Sequence, residues 1–450
     1  MSRAAVWLQH LFVVLLLFSV GPPVHAQGDV ERVRIHGSHT LGAHLVPAVA
    51  EAWLRDIGYE DIRRVHRQPA LTEVHASRDG LPLIVEIDGS SSAQGFADLV
   101  AGDAQIAMMT RRPTAAELDE GWQLGDLSSH DQEFVLALDG VAVVVNRDNP
   151  VAQLSLAQLR RLFSGAARDW RDVAGPPGRV RLHLAAGANS ARDLIDERVM
   201  QGARYAQAQV HADATALLRA VAADPAAIGF VSLRQGWGAG VRPAAIAEGG
   251  AAIAPTRLGV QSEDYPLARR LYLYGSQMMG ALSRSFALYA MSRPGQEAVT
   301  RAGHLAVTLC PGYRPPSLIG PGEYRELVRD ATRLPLSLRF NFNGNNDSGI
   351  ASSVYDSRAV RDIERLAAFM RLPINRGRRL LVIGFADVGV GSPAAAMMMS
   401  NDRADLVAHE LMALGIEVQH ARGMGALLPL MQPSSGEGRY RNERVELWLL

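Results

Sequence analysis

The chain has 450 residues, 48% of them apolar and 20% charged, with 46 Lys and Arg balancing 46 Asp and Glu. That composition excludes a disordered or collagen-like chain, and a formal charge of zero without a long basic run excludes a nucleic-acid-binding surface. The length predicts two or three domains, and the single cysteine, Cys310, leaves no disulfide framework.

In chain order, the N-terminus reads as a secretory signal. Arg3 gives a positive start, residues 11–20 form an apolar run, and Val24-His-Ala26 supplies small residues for cleavage after Ala26. The run is too short for a membrane span. With no cysteine near the cleavage point for lipid attachment, these features predict a protein of the Gram-negative periplasm. Association with the cell wall would then have to come from a folded module.

From Val33 onward short apolar runs alternate with helical spacing, which predicts an α/β fold. Residues 33–35 read as a strand, Gly37-Ser-His-Thr40 as a turn, and Leu45, Val49 and Trp53 as one helix face. Residues 83–87 form the next strand, followed by Asp88-Gly-Ser-Ser-Ser92 and a helix through Phe96 and Leu99. Residues 141–145 read as a buried strand opening a second lobe at about 140–255. Within that lobe, residues 180–184 lead into Gly187-Ala-Asn-Ser190 and a helix through Leu194 and Val199. Residues 228–232 and 265–272 supply further apolar runs.

The order strand, small-residue turn, helix thus appears three times. Such turns leave backbone N–H groups at a helix start, where the helix dipole favours an anion. Ser38, Thr40, Ser90, Ser91, Ser92, Asn189 and Ser190 are the hydroxyl and amide donors available there. Each is equally a plain helix cap when taken singly.

Several stretches between residues 33 and 311 resemble PstS-type phosphate receptors of ABC importers. They are Gly37-Ser-His-Thr-Leu41, Gly89-Ser-Ser-Ser92 with the run from Gly102 to Thr110-Arg-Arg-Pro113, and Asp139-Gly-Val-Ala-Val-Val-Val-Asn146. Leu159-Arg-Arg-Leu-Phe-Ser-Gly165 with Trp170, Ile228-Gly-Phe-Val231 and the run Tyr265–Tyr274 complete the set. The resemblance implies a two-lobed periplasmic-binding-protein fold over residues 27–318 that closes on its ligand by a hinge. It also implies anion contacts from Ser38, Thr40, Ser90, Ser91, Thr110 or Arg111, Asn189 and Ser190. This chain departs from the family pattern in three places, one of them Arg111, which stands where a hydroxyl or acceptor is usual. The second-lobe turn reads Asn189-Ser-Ala191, without the family's threonine, and no arginine precedes it. Arg111, or Arg112, is then the expected source of positive charge, with a solvated surface arginine as the open alternative.

A Pro/Gly-rich passage from Cys310 to Gly322 predicts a linker, placed at 319–335, before a second unit at 336–450. Val360, Ile363, Leu366 and Met370 share a helix face, residues 380–383 form a strand, a helix runs from Ser400 to Leu414, and a last strand begins at Arg444. Three motifs stand here: Gly384-Phe-Ala-Asp387, Ser400-Asn-Asp-Arg403-Ala404 and Asn442-Glu-Arg444-Val-Glu446. They are similar to the OmpA-like peptidoglycan-associating domain, a small α+β fold. The resemblance implies that Asp387 and Arg403 hold the diaminopimelate of a peptidoglycan stem peptide, with Arg444 nearby. A carboxylate suits its ammonium and a planar guanidinium its carboxylate. Ser400 is expected to cap the helix beside the same site.

Nothing supplies a catalytic set. His36, His39 and His44 lack zinc-motif spacing, and Gly-x-Ser-x-Gly is absent. The sequence therefore predicts a non-enzyme without metal or cofactor. Its partners would be a phosphate-like anion, peptidoglycan and an ABC importer. Two other readings stay open: an envelope interaction protein with a ligand-less receptor module, and a phosphate-ester hydrolase.

Overall fold

A computed structural model describes residues 30–186, 190–309, 320–341, 354–432 and 436–450. The expected signal segment, Cys310 and Asn189 lie outside these residues.

The strands in chain order are β1 (Glu31–Ser38), β2 (Glu60–His66), β3 (Leu71–Arg78), β4 (Leu81–Ser90), β5 (Ile106–Met109), β6 (Glu133–Asn146), β7 (Gln153–Ser155), β8 (Arg181–Ala185) and β9 (Ala208–His211). They continue with β10 (Ala227–Ser232), β11 (Val241–Pro243), β12 (Ala245–Ala247), β13 (Ala268–Gly275), β14 (Thr332–Asn341), β15 (Val354–Tyr355), β16 (Leu380–Gly384), β17 (Val418–Gly423) and β18 (Arg444–Leu449). An 11-stranded sheet runs β2-β3-β4-β1-β5-β13-β6-β10-β8-β9, with β11 added on β6.

Two strands knit its halves together. β6 is buried at every position, as expected for a continuous apolar run covered on both faces. Its first part, Glu133 to Gly140, pairs with β13, and its last part, Val141 to Val145, pairs with β10. The chain therefore passes from one lobe to the other at Asp139–Val141. The segment expected to open the second lobe is the far end of this single crossing strand.

In the first lobe the helix Leu45–Asp56 buries Leu45, Val49 and Trp53 completely. Trp53 meets Phe286 edge-on at 5.5 Å and donates from Nε1 to Ser285 Oγ. The helix Ser92–Ala101 lies so close to β1 that a Cβ on Gly95 would stand 2.4 Å from Gly37 Cα. A glycine is required there, and the close packing sets the position of the turn above β1.

Residues 320–450 build a second sheet, β15-β14-β18-β16-β17. Period-2 alternation divides its side chains: Val445, Leu447 and Leu449 pack under the helices Ser357–Met370 and Pro393–Ala413, while Trp448 joins Tyr324 and Phe385 on the other face. The stretch expected as linker contains the helix Gly322–Leu327 and the first half of β14. Tyr324, 6% exposed, gives that helix an apolar anchor that its Pro/Gly-rich surroundings concealed.

Candidate anion-binding cleft

β4 and β5 flank β1 in parallel, in a register that sets Gly37 beside Gly89, Ser38 beside Ser90, and Gly37 beside Met108. The carboxyl ends of the three strands therefore deliver Ser38, Ser90, Ser91 and Thr110 to one edge. In open α/β sheets ligands bind at this edge. Ser38 Oγ accepts from Thr40 N–H at 3.2 Å at the start of the one-turn helix His39–Gly42. Ser91 caps the helix Ser92–Ala101 by accepting from Gln94 N–H at 3.1 Å. Ser92 Oγ accepts from Thr110 N–H at 3.1 Å, which ties the second turn to the third.

Arg111 does not offer an open charge. Its guanidinium forms a two-point pair with Glu117 at 2.6 and 2.8 Å, and that bond raises the Arg111 pKa and lowers that of Glu117. Arg112 turns to the opposite side, where it donates to Glu133 at 3.2 Å and lies over the Tyr440 ring. Both arginines expected as the source of cleft charge are thus paired within the chain. Both are matched to carboxylates that the sequence places 6 and 21 residues away.

The arginine that reaches the second-lobe turn is Arg269, on the crossing strand β13. Its Nη2 donates to Asp139 Oδ2 at 3.1 Å and to the Ser190 carbonyl at 2.9 Å. Ser190 opens the helix Ser190–Ile195. Arg269 therefore links the crossing point to the very turn that has no arginine of its own. Sequence reading passed over it inside an apolar run. Two adjacent charges in such a run were the available signal, because a strand sends neighbours to opposite faces.

The floor near Arg269 is polar and buried. Asp139 is 3% exposed, and its Oδ1 has no hydrogen-bond partner among the described residues. His304 is 4% exposed, and neither ring nitrogen has a partner among the described residues. Burial, then the nearby Arg234, holds the His304 imidazole down to about 4. Burial raises the Asp193 carboxyl, which Arg269 and His39 of the first lobe pull the other way. Among the described residues no group of three or more His, Cys, Asp or Glu is placed to hold a metal ion, and no helix is long and apolar enough to cross a membrane.

The four residues singled out in the C-terminal unit are all turned inward. Asp387, 1% exposed, accepts from Gly389 N–H and from Asn442 Nδ2, each at 2.7 Å. Arg403, also 1% exposed, is ion-paired with the fully buried Glu443, whose carboxyl burial pushes up. Glu443 stands where the OmpA-like pattern has an arginine, so the carboxylate expected from a ligand is supplied by the chain itself. Ser400 caps nothing. The helix begins at Pro393 with Ser392 as its cap, because the run of Ala and Met before Ser400 is itself helix-forming. Ser400 instead donates to Met397 O and accepts from Gly425 N–H, both at 2.8 Å. Arg444 pairs with Glu446 and covers the Phe385 ring.

Residues 68–294 match the PBP superfamily domain, and the chain belongs to that superfamily of substrate-binding receptors, which are not enzymes. The "Phosphate-binding protein PstS" of Staphylococcus aureus is 27% identical over 226 residues, covering 48% of this chain and 68% of that one. The protein of the same name from Staphylococcus saprophyticus is 26% identical over 207 residues, covering 45% and 64%. Among solved structures, PstS from Borrelia burgdorferi aligns at 18% identity over 61% of this chain and 98% of that one, with a TM-score of 0.48. The family match ends at residue 294, before the C-terminal unit. The expected Gram-negative periplasmic location is also corrected: these curated relatives belong to Gram-positive organisms, which lack a periplasm.

Proposed function

We propose that the cleft binds phosphate or a related oxyanion, and that the protein serves as the solute receptor of an ABC importer. The observation that carries this is the register that sets the small-residue turns after β1 and β4 and Thr110 at the end of β5 on one sheet edge, together with Arg269 of the crossing strand bonded to the helix start at Ser190. The names of the staphylococcal relatives support the same ligand. Ser38, Thr40, Ser90, Ser91 and Thr110 donate from the first lobe and Ser190 from the second. Arg269, itself paired with Asp139, supplies the charge through the N–H groups that Asp139 and the Ser190 carbonyl do not take. Arg111 keeps the third turn in place through Glu117 and reaches an anion only by giving that partner up.

Calorimetry with phosphate, sulfate and a phosphate monoester tests the reading. Phosphate binding that falls by about 10- to 100-fold in Arg269→Gln is expected, the loss of a charge-assisted hydrogen bond. No heat with any of the three ions would refute it.

The finer part of the proposal is a peptidoglycan contact through Asp387 and Arg403. It rests on the order of the three C-terminal motifs, and it requires Glu443 to release Arg403. Retention on purified peptidoglycan, compared between the unaltered chain, Asp387→Ala and Arg403→Ala, decides it: equal retention removes the contact.

A further inference from the structure

The two arginines that begin β13 point to opposite sides of the crossing strands. Arg269 faces the cleft, holding Asp139 and the Ser190 carbonyl. Arg270 faces the C-terminal unit. Its Nε and Nη2 meet Glu263 at 2.5 and 2.8 Å, and Nη2 meets Asp356 at 2.7 Å. The partner strand repeats the pattern. Asp139 of β6 lies toward Arg269, whereas Glu133 at its start accepts from Tyr274 OH at 2.6 Å, from Arg112 and from the Ser357 hydroxyl of the C-terminal unit.

The approach to β13 is held from the same side. Arg358 donates to Gln261 O at 2.7 Å, Arg339 to Ser262 O at 3.0 Å, and Arg441 to Tyr265 O at 3.1 Å. Arg333 pairs with Asp264 at 3.2 Å. Tyr440 donates to Asp356 and lies under Arg112, Arg270 and Arg339. Nearly all of these charges are buried, with Arg339 and Asp356 fully so.

A buried ionic network of this kind adds little to stability on balance, but it tolerates only complete arrangements, since a displaced member leaves a desolvated charge behind. Closing the lobes of this fold changes the course of the crossing strands. Here those strands cannot move without the C-terminal unit moving too. We infer that the C-terminal unit is an intramolecular brace of the hinge, so that its packing and ligand occupancy of the cleft are thermodynamically linked. Linkage of this kind is reciprocal: whatever ligand does to the brace, the brace does to ligand affinity. The affinity half of the inference rests on the cleft being the anion site, while the mechanical half does not.

The experiment uses the full chain with Cys310→Ser and spin labels at Ala97→Cys and Ala157→Cys, exposed positions on helices of the first and second lobes. Inter-lobe distance distributions and phosphate calorimetry are recorded for this background, for Arg270→Met, and for the milder Tyr440→Phe/Ser357→Ala pair, which removes two hydroxyl contacts and no charge. The expected result is a shifted or broadened ligand-free distribution in both variants, with the phosphate Kd changed by about fivefold or more, the lower end of ordinary coupling. Superimposable distributions in a folded milder variant overturn the brace. If the background protein binds no phosphate, the anion reading falls alone and the distances still decide the brace.

Discussion

Acidification from about pH 7 to about pH 4.5 is expected to place a charge where the fold has no room for one, at His304. Burial, reinforced by Arg234, holds this imidazole at about 4 in the folded protein against an ordinary 6.5. Below 6.5 the unfolded chain takes up the proton first. The contribution is therefore fully present above that value and is lost as pH falls toward 4. The difference corresponds to about 3 kcal/mol when complete, and about 2.5 kcal/mol of it is gone by about pH 4.5. At 4% exposure the group needs no discount for solvent screening. Carboxylates elsewhere also titrate in this range, so the assay is a comparison. Urea unfolding at both pH values is measured for the unaltered chain and for His304→Leu, which breaks no hydrogen bond because neither ring nitrogen makes one. The unaltered chain should lose about 2.5 kcal/mol more than the variant. Parallel losses would show that His304 is solvated in solution and that the burial argued for it beside Asp139 and Arg269 is wrong.

Three other outcomes follow from the packing and pairing. Gly95→Ala forces a methyl against Gly37 and should cost about 1–3 kcal/mol in chemical unfolding, with weaker anion binding because the β1 turn is displaced. Ser91→Ala removes the cap of the helix Ser92–Ala101 and should cost about 1 kcal/mol; a change several times larger would mean that the serine holds more than the helix. Glu443→Gln takes away the carboxylate facing buried Arg403 and should destabilise the protein by about 3–5 kcal/mol, read as a lower urea midpoint. A neutral result there would place the pair in solvent and leave Arg403 accessible to an external carboxylate.

Local order was readable because it depends on near neighbours. Spacing of Leu45, Val49 and Trp53 marks the helix that buries them, apolar runs mark β4, β6 and β16, and small residues mark the turns after β1 and β4. Helix limits were less legible. Ser400 looked like a cap because an Asn-Asp-Arg run follows it, yet the helix starts seven residues earlier at Pro393, where Ser392 finds the free N–H of Ala395. Placement of charge was the least legible. Arg111 and Arg112 looked alike in sequence and are sent to opposite sides, and Arg269 was hidden in a strand whose partner, Asp139, lies 130 residues away.

The amino-acid sequence by itself determined the α/β receptor architecture and the positions of the small-residue turns, since both follow from apolar periodicity and from the backbone freedom of a few residues. Only the tertiary structure decided which charges meet. It closed Arg111 on Glu117 and Arg403 on Glu443, brought Arg269 to the second-lobe turn, and bound the C-terminal unit to the crossing strands through Arg270 and Asp356. A buried charge must find an opposite one at contact distance, and which one it finds is settled by how strands and helices distant in sequence come together.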